Sequence, residues 1–258
     1  MDFPVGWQIG PLRVPAHALC EALAYLVGAR IYFAARRRGG DILDDGTRWT
    51  ILAAAIAGAA LGSRLLYLAG DPQQTIARWR DFAYLAGGKT IVGGLLGGWI
   101  AVETTKKLAG VTVATGDLLA LPLAVGIAIG RLGCLLAGTT DGTHGSPTAL
   151  PWGIDFGDGI RRHPAPLYEM LFLAALAVSL ARRARRRVEN GSQFRSFLAA
   201  YLGFRLLIDL LKPAPARWLA LSAIQWACLA GLLYYATRAA WRRVDDRARE
   251  RAAPPASA

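Results

Sequence analysis

Gly130-Arg131-Leu132-Gly133-Cys134 lies inside an otherwise unbroken apolar run over residues 118–137. A guanidinium within a membrane span costs about 2.5–3.5 kcal/mol on insertion scales, and more where it faces lipid alone. It is tolerated where it faces a polar cavity or a partner. Arg205 stands in a second apolar run. A cavity lined by two arginines inside a bilayer is suited to holding a phospholipid phosphate. The stretch therefore points to an all-α, polytopic membrane protein with an anionic lipid as its ligand.

Working outward, seven apolar segments cover residues 16–35, 49–69, 90–109, 116–137, 164–181, 195–211 and 218–238. Each is near the roughly 20 residues that cross the hydrocarbon core. The sixth is the weakest, because it contains Arg205 and Asp209. Composition agrees: 258 residues are 54% hydrophobic, yet the net charge is +12. The arginines flank apolar runs instead of interleaving with a soluble fold, which argues against a nucleic-acid partner. Residues 1–15 lack the basic start and apolar core of a cleavable signal, so insertion is expected to use the spans themselves.

Basic residues set the orientation. Arg36-Arg37-Arg38, Lys106-Lys107, Arg182 to Arg187, and Arg242-Arg243 all follow odd-numbered spans. The positive-inside rule puts that side in the cytoplasm, with the N-terminus outside and the C-terminus inside. Residues 1–245 then form one integral domain, and 246–258, with Pro254-Pro255, a flexible cytoplasmic tail. The outer face receives residues 70–89, 138–163 and 212–217. The loop 138–163 carries Asp141, Gly142 and His144 and joins the arginine-bearing fourth span to the fifth.

Several constellations fall at the outer level. His163-Pro164-Ala165-Pro166-Leu167-Tyr168-Glu169 opens the fifth span. Pro164 suits a first helical turn, and Glu169 lies about a turn and a half inside, where it can neutralise Arg131 or Arg205 or orient His163. Arg205 and Asp209, four apart, share a helix face and can pair. Arg131 has no acid within one turn, so its partner is distant in sequence or a ligand. Gly130 and Gly133 strip bulk from around it.

Gly87-Gly88-Lys89-Thr90-Ile91-Val92-Gly93-Gly94 opens the third span. A glycine-rich turn with a lysine at a helix N-terminus can cradle phosphate, here through Lys89, Gly93 and Gly94. Close helix packing explains the remaining small residues around Gly58 and Gly97. His17 and Glu21 form another pair four residues apart. Cys20, Cys134 and Cys228 show no metal spacing, and neither a metal site nor a cofactor motif is expected.

Together these residues resemble the prolipoprotein diacylglyceryl transferases of bacterial inner membranes. The likeness runs from the first span to the seventh. The family's GRxGN signature resembles residues 130–134, preceded by Asp117 and Pro122, and its HPxQLYE stretch resembles residues 163–169. Tyr201 and Arg205 match the penultimate helix, with Asp209 for a glutamate, and Gln225 matches the last span. The resemblance implies transfer of diacylglyceryl from phosphatidylglycerol to the lipobox cysteine thiol of a preprolipoprotein, releasing glycerol phosphate. It also implies that Tyr168, Tyr201, Asp209 and Gln225 belong to the substrate site.

The departures are specific. Val92 stands where the family has a histidine, Cys134 and Ala137 where it has asparagines, Thr139 where it has a glutamate, and Pro166 where it has a glutamine. Arg131 and Arg205 are expected to hold the phosphate, and His163 becomes the expected base, with His144 in reserve. A different acceptor, or a phospholipid-binding protein without catalysis, is the alternative.

Overall fold

The computed structural model describes residues 3–186, 189–214 and 216–252. Each expected apolar segment is a helix. They are α1 (Ala16–Ala35), α2 (Asp45–Gly70), α5 (Ile91–Leu108), α6 (Asp117–Ala137), α7 (Ala165–Arg183), α8 (Ser192–Ile208) and α9 (Ala223–Ala252). Two short helices, α3 (Pro72–Ala77) and α4 (Phe82–Ala86), fill the connection from α2 to α5. Two small antiparallel ribbons were not anticipated: β1 (Gly6–Ile9) with β2 (Leu12–Pro15), and β3 (Ile154–Asp155) with β4 (Arg161–Arg162). Pro254-Pro255 and the rest of residues 253–258 lie outside the described residues.

Boundaries moved where a cap took over. Asp44 accepts from the Thr47 N–H and starts α2 before the apolar run begins. The last helix starts later than residue 218, because Ser222 and Gln225 form a reciprocal capping box. The Gln225 side chain accepts from Ser222 N at 2.9 Å, and Ser222 Oγ accepts from Gln225 N at 3.2 Å.

Among the described residues, four helical stretches are long and apolar enough to cross a membrane: Ala16–Arg38, Asp45–Gly70, Asp117–Asp141 and Ala165–Arg183. Leu23, Leu26, Ile56, Leu61 and Leu65 are exposed along α1 and α2, as lipid-facing side chains are. This is a membrane protein built of helices.

The small residues decide how closely the helices approach. On α2, Gly58 and Gly62 meet Gly93 and Gly97 on α5; a Cβ at Gly62 would lie 2.4 Å from the Gly93 carbonyl oxygen. Such small-xxx-small seams let backbones touch where no hydrophobic force between spans exists. The buried core lies where α5 to α9 converge, with Val92, Leu173, Phe197, Leu198, Tyr201 and Leu202 at its centre.

Candidate functional site

α6, α7 and α8 bring their charged residues to one buried point. Glu169 is fully enclosed. Its Oε2 lies 2.9 Å from Arg131 Nε and 3.2 Å from Arg205 Nη1, and its Oε1 accepts the Tyr201 hydroxyl at 2.6 Å. Arg205 Nη2 donates to Asp209 Oδ1 at 2.9 Å, and Ser222 Oγ donates to Asp209 Oδ2 at 2.6 Å. The distant partner of Arg131 is thus Glu169, and the Arg205–Asp209 pair forms as its spacing allows.

Two guanidinium charges meet two carboxylates, so the cluster is formally neutral and survives burial. It is not saturated. Arg131 Nε and Arg205 Nε are buried without a hydrogen-bond partner among the described residues, the Arg131–Glu169 contact lying off the hydrogen-bonding angle. A buried donor without any acceptor, as at Arg205 Nε, costs roughly 1–3 kcal/mol. Beside them, Gly130 faces open space, with nothing within 4 Å of an added Cβ.

Other expected residues fall elsewhere. His163 Nδ1 lies 3.3 Å from the Tyr168 hydroxyl oxygen, which accepts from Trp152 Nε1 at 2.8 Å. In the tautomer protonated at Nδ1, His163 donates to that oxygen and leaves Nε2 with a free lone pair. His144 Nδ1 contacts the Gly145 carbonyl at 3.1 Å. Asp141 Oδ1 accepts from Thr143 N and Oγ1, and Gly142 takes the left-handed conformation (φ +64) that closes this turn.

Three of the expected substrate residues also have roles in the fold. Gly93 is filled by Gly62 across the α2–α5 seam. Gly133 lets α6 approach α1, since a Cβ there would lie 2.9 Å from Cys20 Cβ and 3.1 Å from His17 Cα. Gln225 is spent on the α9 cap and on the Leu206 carbonyl. Nor does Glu21 pair with His17: it accepts from Lys89 at 3.0 Å and Tyr25 at 3.3 Å.

A cavity of about 1260 Å³, lined mainly by apolar atoms, opens between α1, α2, α5, α6, α8 and α9. It exceeds the ~300–1,000 Å³ of small-molecule pockets and suits a ligand with long chains. Lys89 and Gly94 line one end and Arg195 the other. The charged cluster does not line it. Its wall reaches Ile127, one helical turn from Arg131 on the same face of α6.

A model of the prolipoprotein diacylglyceryl transferase family matches residues 4–241. The chain belongs to that family. Among its relatives, the phosphatidylglycerol–prolipoprotein diacylglyceryl transferase of Geobacter sulfurreducens is 33% identical over 237 residues, covering 83% of this chain and 84% of its own length. The enzyme of the same name from Verminephrobacter eiseniae is 32% identical over 278 residues, covering 93% and 94%. That from Trichormus variabilis is 30% identical over 270 residues, covering 95% and 91%. In this family member Val92 is a buried core residue of α5, so the position where the family resemblance placed a histidine offers no proton acceptor.

Sequence reading missed Lys212, just beyond α8. Burial, with the positive charges of Arg205 and Arg131, pulls its ammonium down to about 7. It missed Ser222, although Ser222-x-x-Gln225 is a readable capping box. Trp152, which orders Tyr168, carried no local signal.

Proposed function

We propose that this chain transfers the diacylglyceryl group of phosphatidylglycerol to the cysteine thiol of a preprolipoprotein. Its relatives carry that activity in their names, and the observation that carries the reading here is the pair of buried arginines sharing Glu169, beside the open space at Gly130. The acyl chains occupy the apolar cavity. The head-group phosphate reaches Arg131 and Arg205, which stabilise it as it leaves; such preorganised charge is strongest in a dry site. His163 Nε2 takes the acceptor thiol's proton, with His144 in reserve. Lys89 and Gly94 guide the lipid at the outer end of the cavity, and Tyr168, Glu169, Tyr201 and Asp209 hold the arginines and the base in place.

Incubating purified protein with labelled phosphatidylglycerol and a lipobox peptide tests this directly. Arg131→Ala and Arg205→Ala should each lower transfer tenfold or more, against little change in exposed Arg37→Ala. One charge-assisted hydrogen bond is worth about 1.5–3 kcal/mol. Arg131→Lys should restore little, because a point charge does not replace a guanidinium fork. Unchanged lipid binding in a folded Arg131→Ala protein relegates that residue to structure.

The membrane arrangement we propose is seven spans in one unit over residues 1–245, in the bacterial inner membrane, N-terminus outside. The basic clusters after odd-numbered spans support it. Cysteine introduced at Arg38 or Arg185 should be shielded from an impermeant thiol reagent in intact cells, and one at Ser146 labelled. The reverse pattern sinks the orientation and the outer-leaflet site with it.

Buried Val92 favours one second reading, a phospholipid-binding protein that has lost its base. Gain of transfer in Val92→His from an inactive wild type would favour it.

A further inference from the structure

Beside Arg131, the side chain of His17 converges on two from the end of α6 and the turn after it. His17 lies in the first turn of α1, Cys134 in the last turn of α6, and Asp141 ends the following turn, Gly138–Asp141. Their donor atoms all lie within 4.8 Å of one another. Gly133 makes the approach possible by admitting α1 against α6.

His17 Nδ1 and Asp141 Oδ2 are buried atoms without a hydrogen-bond partner among the described residues. The other Asp141 oxygen is committed to Thr143. Arg131 Nη1 lies 3.4 Å from Cys134 Sγ. Such buried polar atoms cost free energy unless a ligand takes them up.

We propose that His17, Cys134 and Asp141 form a zinc-class divalent cation site whose fourth position receives the acceptor thiol. One imidazole, one thiolate and one carboxylate are the donors such an ion prefers, and three protein ligands leave a position open. Zinc holds nitrogen and oxygen at about 2.0–2.2 Å and sulfur at about 2.3 Å, so its ligand atoms sit roughly 3.3–3.8 Å apart. The cluster needs to close by about an ångström. Cys134 and Asp141 together neutralise the ion's two charges, so it sits beside Arg131 without net repulsion. All three residues are only half-buried, which leaves a way in.

This inference rests on the transferase reading above and adds a second route to the thiolate. A metal-bound thiol is deprotonated outright, its proton passing to water. The thiolate sulfur bonds to the glyceryl carbon as the carbon–oxygen bond to phosphate breaks. The electron pair leaves on the phosphate oxygen, with Arg131 standing between metal and phosphate. Cysteine at residue 134, where the family resemblance has asparagine, thereby offsets the missing histidine at residue 92.

Full-length protein in detergent, stripped with a chelator and reloaded with zinc or cobalt alone, provides the test. We expect one ion per chain and, with cobalt, a thiolate-to-metal charge-transfer band. Cys134→Ser, Asp141→Asn and His17→Gln should each weaken binding tenfold or more. Because those variants can misfold, wild-type alkylation is measured as well: zinc should slow modification of Cys134 and leave Cys20 unchanged. A lipobox peptide should perturb the cobalt band, and its serine version should not.

Substoichiometric metal with unprotected Cys134 overturns the site. A band unmoved by the peptide overturns thiol activation. Full transfer by chelator-stripped protein also overturns it, while leaving the transferase reading intact. Stoichiometric metal that responds to the thiol, with no transfer from phosphatidylglycerol, supports the site and counts against that reading instead.

Discussion

Glu169→Gln is expected to destabilise the protein by about 3–5 kcal/mol, the usual cost of removing one partner from a buried ion cluster. Glu169 is shared by Arg131 and Arg205 and is fully enclosed. Its loss leaves the cluster with one uncompensated positive charge. The fully buried Cys228 thiol is a convenient reporter, because unfolding in detergent exposes it to a thiol reagent. The double change Arg131→Met with Glu169→Leu should recover much of the loss. It removes one charge of each sign and leaves Arg205 paired with Asp209 at 2.9 Å. If the double variant is no more stable than Glu169→Gln, charge balance is not what holds α6, α7 and α8 together, and the account of the cluster fails.

His163→Asn is expected to lower turnover by about 10²–10⁴-fold, the range typical of general acid–base catalysis, with lipid binding largely kept. The Tyr168 hydroxyl fixes the ring at Nδ1, and Trp152 fixes the hydroxyl in turn. Tyr168→Phe should therefore lower turnover by a smaller factor without touching binding. His144→Asn should matter less, since its ring only contacts the adjacent Gly145 carbonyl. Full turnover in both variants removes His163 and His144 as the base. Lys212, drawn down to about 7 by burial and by Arg205 and Arg131, becomes the next base to test, through Lys212→Met.

Much of this was readable because the relevant signals are local. Hydrophobic length places a helix wherever a span is needed, and α1 runs over the very residues its apolar run covers. Arg205 and Asp209 pair because a helix puts residues four apart on one face. Gly58-x-x-x-Gly62 and Gly93-x-x-x-Gly97 announce a close seam. The two ribbons escaped notice, since strands of two to four residues carry too little alternation to stand out.

The site was legible only in part, and glycines show why. Gly130 and Gly133 are three apart in one motif and look alike in sequence. One faces open space beside Arg131; the other is filled by His17 and Cys20 of α1. Which face of α6 meets a neighbour is a property of the bundle. Gln225 was read from resemblance alone; its amide accepts from the Ser222 N–H at the start of α9 and donates to the Leu206 carbonyl of α8.

By itself, then, the sequence determined the helical class, the apolar runs, the basic flanks and the presence of two arginines that need partners, because each follows from hydrophobicity and helix period within one segment. Only the tertiary structure decided that Glu169 serves both arginines, that the lipid-sized cavity stops a turn short of Arg131, and that His17, Cys134 and Asp141 meet. Those facts depend on contacts between helices separated by 30 to more than 100 positions in the chain. No local pattern encodes them; they follow from how closely small residues let the helices pack.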